Sequence, residues 1–414
     1  MNYAGPMTHA YESHPIHVLT LTPFYPSESD EVDGTFVAAP LEYLRAFKVA
    51  STVIAAKPRS WGTFKDSDRG PKAIRVRFPQ LPGGAAYGSW GLLLYARLAH
   101  FVSRLHREHH IDLIHAHTAL PCGYPAALLS RQLRIPFVVS THGLDVFSTR
   151  REKGLSRRWV DRCSRFVYRK ANMNICVSEA VRRVMVDVLG NSARTTVIYN
   201  GVNTSLFAPP QKEDEDAAPT ILSVGRLVPS KGLELVLRAV AELSGKYPRL
   251  RYEIIDDGPE HSHLLALARE LKIAEKVKFF GRQSRSFVAE AMKRCTIFAL
   301  PSRDEAMGCV YLEAMATARP IIGCRQQGIE EIVRHGESGW LIRPDNLREM
   351  VVALDTLLAN VPLRKQMGTK ARQTIVEGLT LQHQAARLNS LYRECLGLAE
   401  KKRSVPPRVS GGLP

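Results

Sequence analysis

The hydrophobic positions of this chain fall into short continuous runs separated by longer amphipathic stretches. The first run, IHVLTLT, covers Ile16 to Thr22 and predicts a buried strand. Pro23-Phe24-Tyr25-Pro26 ends it, and a polar loop leads to Gly34. A helix is predicted from about Phe36 to Phe47, followed by a strand, STVIAA, from Ser51. IDLIHAH (Ile111 to His117) reads as a strand, about Gly123 to Gln132 as a helix, and PFVVSTH (Pro136 to His142) as a strand. Strands buried on both faces lose the apolar–polar alternation, and parallel strands need helical crossovers. The pattern therefore predicts an α/β fold built on a parallel sheet with helices on both faces.

The segment Ala208 to Pro219, APPQKEDEDAAP, interrupts this rhythm with prolines and acids and predicts a linker, 208–219. The alternation then restarts with the strands TILSVG, RYEIID, KVKFFG and TIFALP, separated by helices. After Lys231, Leu233, Val236, Leu237, Val240 and Leu243 share one helical face. Two doubly wound, Rossmann-like domains follow, 1–207 and 220–383, facing each other across a cleft. In such sheets ligands bind at the carboxyl ends of the strands. The last amphipathic helix runs from about Leu381 to Leu398, and about 384–400 is expected to pack back on the first domain. The tail, 401–414, has no core pattern and is read as disordered.

Composition narrows the class. The 414 residues allow two or three domains, and 45% apolar residues supply a substantial core. A net charge of +17, from 57 basic and 40 acidic side chains, favours anionic partners without choosing among them. The seven cysteines are scattered and form no C-x-x-C pair, which argues against a disulfide framework or a zinc site and for a reducing compartment. The N-terminus has no basic-then-apolar leader pattern, and no uncharged apolar run reaches the ~18 residues of a spanning helix. The expectation is a soluble or peripheral cytoplasmic protein.

The chemistry concentrates in Pro301 to Pro320, PSRDEAMGCVYLEAMATARP. Glu305 lies in a turn-like segment before Gly308, and Glu313 lies inside a helix-favouring run. The backbone N–H groups of Gly308, Cys309 and Val310 would then point out of a helix start, which binds anions. Carboxylates beside an anion site fit a ligand with both hydroxyls and phosphates, such as a nucleotide-sugar. GRLVPSKGLE, Gly225 to Glu234, places Arg226 and Lys231 at a strand's carboxyl end, facing the cleft. A departing diphosphate gains negative charge and needs such cations.

GRLVPSKG, IIDDGPE, FFG and the 301–320 segment, in that order, resemble the donor-binding half of the retaining GT-B glycosyltransferases of family 4. DGTFV, DLIHAHTALPCGYPAALL, FVVSTHGLDV and YNGVNTSLF resemble the acceptor half. The resemblance spans about Ile16 to Leu398 and implies the GT-B architecture. It implies that Arg226 and Lys231 grip the diphosphate, Glu305 bonds the donor sugar, and Glu313 bonds the ribose. Gly308 to Val310 would offer backbone amides, with Ala306 and Met307 beside them. Gly225, Asp257 and Gly258 complete the donor side, and Gly34 lies in a loop closing over the phosphates. His142 would sit beside the transferred sugar, with His115 and His117 as acceptor-side candidates. The co-substrate would be a UDP- or GDP-sugar, with no other cofactor.

Several positions depart from the family pattern. Asp256 stands where a small residue is usual, Ala318 where a helix-stop glycine is usual, Gln327 for the first residue of a Gly-Gly pair, and Glu330 for a proline. Asp66-Ser67-Asp68 and Asp214-Glu215-Asp216 match a D-x-D metal pattern but sit in polar loop stretches, so no metal is expected. Thr149 to Lys170 and Ser89 to His110 mix basic residues with aromatics, as membrane-surface helices do.

The leading expectation is a retaining glycosyltransferase acting on a growing, lipid-linked glycan at an anionic membrane surface. A nucleotide-sugar epimerase on the same fold is the alternative. A non-enzymatic nucleic-acid binder is more remote, because no C₂H₂ or RNP-type motif is present, and no nucleic acid is expected.

Overall fold

The computed structural model describes residues 15–27, 30–58, 72–79, 84–143, 154–190, 194–212 and 217–398. The first sheet contains β1 (Ile16–Thr22), β2 (Val49–Pro58), β3 (Ile74–Phe78), β4 (Leu113–His117), β5 (Phe137–Thr141), β6 (Met173–Cys176) and β7 (Thr195–Val197). Its helices are α1 (Thr35–Leu44), α2 (Trp90–His109), α3 (Tyr124–Leu133), α4 (Gly154–Lys170) and α5 (Glu179–Leu189). The strand order is β3-β2-β1-β4-β5-β6-β7, with every pair parallel.

The second sheet contains β8 (Thr220–Val224), β9 (Arg251–Ile255), β10 (Val277–Phe279), β11 (Ile297–Ala299), β12 (Ile321–Cys324) and β13 (Trp340–Ile342). Its helices are α6 (Leu233–Leu243), α7 (His261–Glu270), α8 (Arg285–Arg294), α9 (Cys309–Ala316), α10 (Leu347–Ala359) and α11 (Val361–Gly378). The order is β10-β9-β8-β11-β12-β13, again parallel throughout. β4, β5, β8 and β11 are buried at every position, which is why they lack a regular apolar–polar alternation and carry no Asp, Glu, Lys or Arg.

In each sheet the order reverses once, between β1 and β4 and between β8 and β11. The chain leaves those neighbouring strands toward opposite faces, and a crevice opens beyond their carboxyl ends. These are the places where side chains can meet a ligand without disturbing either core.

Local boundaries differ from the sequence reading for identifiable reasons. The helix predicted to Phe47 ends at Leu44 and tightens into a 3₁₀ turn, Arg45–Phe47. Lys48 is left-handed (φ 58) and turns the chain into β2, which begins at Val49 rather than Ser51. β3 is not legible beforehand, since IRVRF carries an arginine at every second position. Ala318 occupies the left-handed region (φ 59), so the stop after α9 keeps a glycine-like geometry at a cost of about 1 kcal/mol. Both D-x-D segments, residues 149–153 and the tail 401–414 lie outside the described residues.

The final helix, α12 (Leu381–Cys395), returns to the first sheet. Its Ala385, Leu388, Leu391 and Tyr392 pack with Ile16, Val18, Leu113 and Val138. A second tie between the halves is electrostatic. Glu331 accepts hydrogen bonds from Glu179 N at 2.7 Å, Ala180 N at 2.6 Å and the Tyr199 hydroxyl at 3.1 Å. A carboxylate of the second half thus satisfies open N–H groups at the positive end of α5 in the first.

Candidate active site

Beyond β8 the chain turns through Gly225 and the exposed Arg226 into a 3₁₀ turn, Pro229–Lys231, then α6. Gly232 is left-handed (φ 67) and packs against the Pro301 carbonyl, where a β-carbon would clash. That contact sets the Lys231 turn beside the segment after β11. The Lys231 stem lies over Gly225, and its Nζ pairs with Glu305 Oε2. Ser302 Oγ donates to the same carboxylate oxygen at 3.1 Å. The Glu305 backbone is held in turn, its N–H donating to Gln327 Oε1 at 2.9 Å and its carbonyl accepting from Gly328 N at 3.1 Å. The departure at Gln327 therefore has a structural role in this chain. Asp257 and Gly258 pack on Leu227, next to Arg226, with Leu227 N donating to Asp257 O at 3.0 Å.

Gly308 (φ 73) caps α9, and a β-carbon there would strike the Tyr311 ring. The first turn, Cys309 and Val310, has no carbonyl one turn earlier to bond and opens at the positive helix end. Ala306 and Met307 are buried beneath this start. Cys309 is kept a neutral thiol, pushed up to about 12 by burial, and its Sγ accepts from Asn200 Nδ2 at 3.3 Å.

Glu313, one turn further, is buried. Burial raises its carboxyl, and the Arg285 guanidinium opposes that shift from 2.7 Å. Arg285 also donates to Thr35 Oγ1 in the first domain at 3.2 Å and lies over the Phe207 ring. A cavity of about 380 Å³ is lined by Thr35, Phe36, Glu42, Arg285, Cys309 and Glu313. The sequence reading passes over Arg285. Its one available signal is a cation at the first position of a helix, against the macrodipole. Gly34 (φ 71) caps α1, directly before Thr35, and packs against the Phe24 backbone.

The histidines form a row in which His115 and His117 are buried and His142 is half-buried. His115 bonds Tyr392 Oη through Nδ1 and Ser140 Oγ through Nε2, both at 2.7 Å. Its ring stacks on His117 at 4.4 Å. His117 Nδ1 meets His142 Nε2 at 2.9 Å, and the Phe36 ring lies 4.6 Å from that of His142. Both ring nitrogens of His115, an acceptor-side candidate of the sequence, are engaged in the interior. Burial lowers all three imidazoles, His115 to about 3 and His142 to about 4, so they are neutral near pH 7.

The structure thus brings Arg226, Lys231 and Glu305 to one switch point. It aligns Gly308, Cys309, Val310 and Glu313 along one helix start. His142 joins that neighbourhood through Phe36, whose neighbour Thr35 touches Arg285. Two sequence profiles cover this arrangement. One described as Glycosyltransferase Family 4 matches residues 34–206, and one described as Glycosyl transferases group 1 matches residues 207–374. The chain belongs to glycosyltransferase family 4.

Among family members, an uncharacterized glycosyltransferase of Methanocaldococcus jannaschii is 31% identical over 64% of this chain and 70% of its own length. The GDP-mannose-dependent α-(1-6)-phosphatidylinositol monomannoside mannosyltransferase of Mycolicibacterium smegmatis is 29% identical over 70% of this chain and 78% of its own. The Anabaena protein HepE, solved with UDP, superposes with a TM-score of 0.73 over 92% of this chain and 100% of its own, at 19% identity. The two parallel-sheet domains are those of a GT-B glycosyltransferase, and glycosyl transfer is the reaction class. The epimerase alternative finds no support in these matches.

The buried histidines predict an acid limit to stability. Each protonates near 6.5 when unfolded but only at lower pH when folded, so acid favours the unfolded chain. Their stabilisation is complete above about pH 6.5 and is lost between there and about pH 3–4. Unfolding midpoints should fall between pH 7 and 5, less steeply in His142→Asn than in wild type. Equal slopes would contradict the assignment of a buried neutral imidazole.

Proposed function

We propose that this family 4 enzyme is a retaining, metal-independent transferase. It moves a sugar from a UDP- or GDP-linked donor to a hydroxyl of a growing, lipid-linked surface glycan. The observation that carries the reading is the Lys231–Glu305 pair at the switch point of the second sheet, beside Arg226 and the start of α9. Arg226 and Lys231 receive the diphosphate and stabilise its growing charge as the glycosidic bond breaks, in place of a metal. On donor arrival Lys231 turns from Glu305 toward phosphate, and Glu305 is released to a sugar hydroxyl. Glu313 accepts from the ribose diol, with Arg285 opposing the rise that burial imposes on its carboxyl. The amides of Gly308 to Val310 bond the sugar and phosphate, and His142 faces the sugar from the first domain. The acceptor attacks from the face the diphosphate leaves, and the departing phosphate takes its proton. Domain closure excludes water and limits donor hydrolysis.

Two relatives support the donor and acceptor classes: the Anabaena protein was solved in complex with UDP, and the mycobacterial enzyme is named for GDP-mannose and phosphatidylinositol monomannoside. The outer face of α4 supports a membrane location on the cytoplasmic side. Trp159 (44% exposed) and Phe166 (36% exposed) lie two turns apart, between Arg158, Arg162 and Arg169. Among the described residues no helix is long and apolar enough to cross a membrane.

Lys231→Ala should lower transfer at least about 100-fold while leaving the unfolding midpoint near that of wild type. Glu313→Ala should act mainly on the donor KM. Undiminished turnover in Lys231→Ala would sink the reading. Separately, vesicles containing anionic lipid should co-sediment the protein at low salt, and the doubly reversed Arg158→Glu, Arg162→Glu chain should bind them weakly. Equal binding to purely zwitterionic vesicles would remove the electrostatic membrane face.

A further inference from the structure

His117 is more than a core residue. Its ring centre lies 5.2 Å from that of His142 and the two planes differ by only 11°. With Nδ1 and Nε2 at 2.9 Å, this is an edge-to-edge N–H···N contact between nearly coplanar rings, not a face-to-face stack. His115 lies on the face of His117 and is itself fixed by Ser140 and Tyr392. Phe36 lies against the other ring of the pair, His142. His117 is buried, His142 is half-buried, and desolvation lowers both imidazoles and keeps them neutral, so one proton is shared between two nitrogens.

That proton has two possible homes with different consequences. If His142 Nε2 carried it, the proton of neutral His117 would sit on Nε2. That atom is buried with no partner among the described residues, and an orphaned N–H would result. If His117 Nδ1 carries it, the buried Nε2 keeps only a lone pair. Orphaned donors are the rarer outcome in folded proteins. We propose that His117 is a positioning residue: its Nδ1–H donates to His142 Nε2 and thereby holds His142 in the tautomer protonated at Nδ1. The nitrogen of His142 not turned to His117 is then a hydrogen-bond donor, held in a fixed plane by His117 and Phe36. Next to a transferred sugar, a ring so held keeps one orientation and carries no charge of its own. This inference rests on the proposed place of His142 beside the sugar. Within it, His117, His115, Ser140 and Tyr392 act as the scaffold that fixes one proton.

The tautomer is directly readable. In the full-length, ¹⁵N-histidine-labelled protein at pH 7.5, long-range ¹H–¹⁵N correlation should show His142 protonated at Nδ1, with a nonprotonated Nε2. In His117→Leu the signal should move toward a mixture of tautomers, and in His117→Asn, whose amide can donate in the same place, it should stay with the wild type. Transfer should follow, with kcat down about ten-fold in His117→Leu, donor KM little changed, and recovery in His117→Asn. His142 protonated at Nε2 in the wild-type protein would overturn the proposal, as would an unchanged tautomer in His117→Leu. The spectrum asks nothing of the transfer reaction. An inactive chain with the Nδ1–H form would count against the function alone, and an active chain with the Nε2–H form against the positioning role alone.

Discussion

A parallel sheet covered on both faces by helices leaves few places for polar chemistry. Its central strands are buried at every position and carry no Asp, Glu, Lys or Arg, as in β4, β5, β8 and β11. A charged side chain along them would be buried unpaired, at a cost of several kcal/mol. Function is therefore driven to the loops beyond the carboxyl ends, and above all to the point where strand order reverses. Arg226, Lys231 and Glu305 leave the two central strands of the second sheet there, and His117 ends β4 at the equivalent point of the first. The histidine row extends from that point into the interior, and it is tolerated because burial keeps its members neutral.

The two halves are joined by contacts that differ in kind. α12 spends apolar area on the first sheet, an interaction that is insensitive to ligand. Glu331 uses charge against a helix start, and Arg282 holds Asp30 across the cleft at 2.6 and 2.7 Å. Arg285 is the most exposed to ligand chemistry, since it touches Glu313, Thr35 and the Phe207 ring together. A ligand that claims Glu313 alters a contact to the first domain through the same guanidinium. In the proposed site, recognition and domain approach would share one side chain.

What the sequence makes legible follows from the range of each signal. Unbroken apolar runs and helical stripes are local, so both parallel sheets can be read from them. Gly308 before CVYLEAMA is also local, and α9 starts at the next residue. The partners of Arg285, Gln327 and His117 are not local. Their contacts join residues 250, 22 and 25 positions apart, and no spacing rule reaches them. β3 is hidden for a different reason: on this edge strand Arg77 reaches solvent and Arg75 bonds the Pro26 carbonyl, so it carries no continuous apolar run. Ala318 shows that a residue unsuited to a backbone position can still occupy it when the surrounding turn is over-determined.

The central claim is that the cleft at these switch points holds a nucleoside diphosphate through Arg226, Lys231 and the start of α9. Calorimetric titration of UDP and of GDP into the full-length chain, at one fixed ionic strength, addresses it without an acceptor. The account predicts saturable one-to-one binding of at least one of them, weakened ten-fold or more in Lys231→Ala, since a charge-assisted contact is worth about 1.5–3 kcal/mol. No binding of either nucleotide by the wild-type chain, or equal affinity in Lys231→Ala, would contradict it.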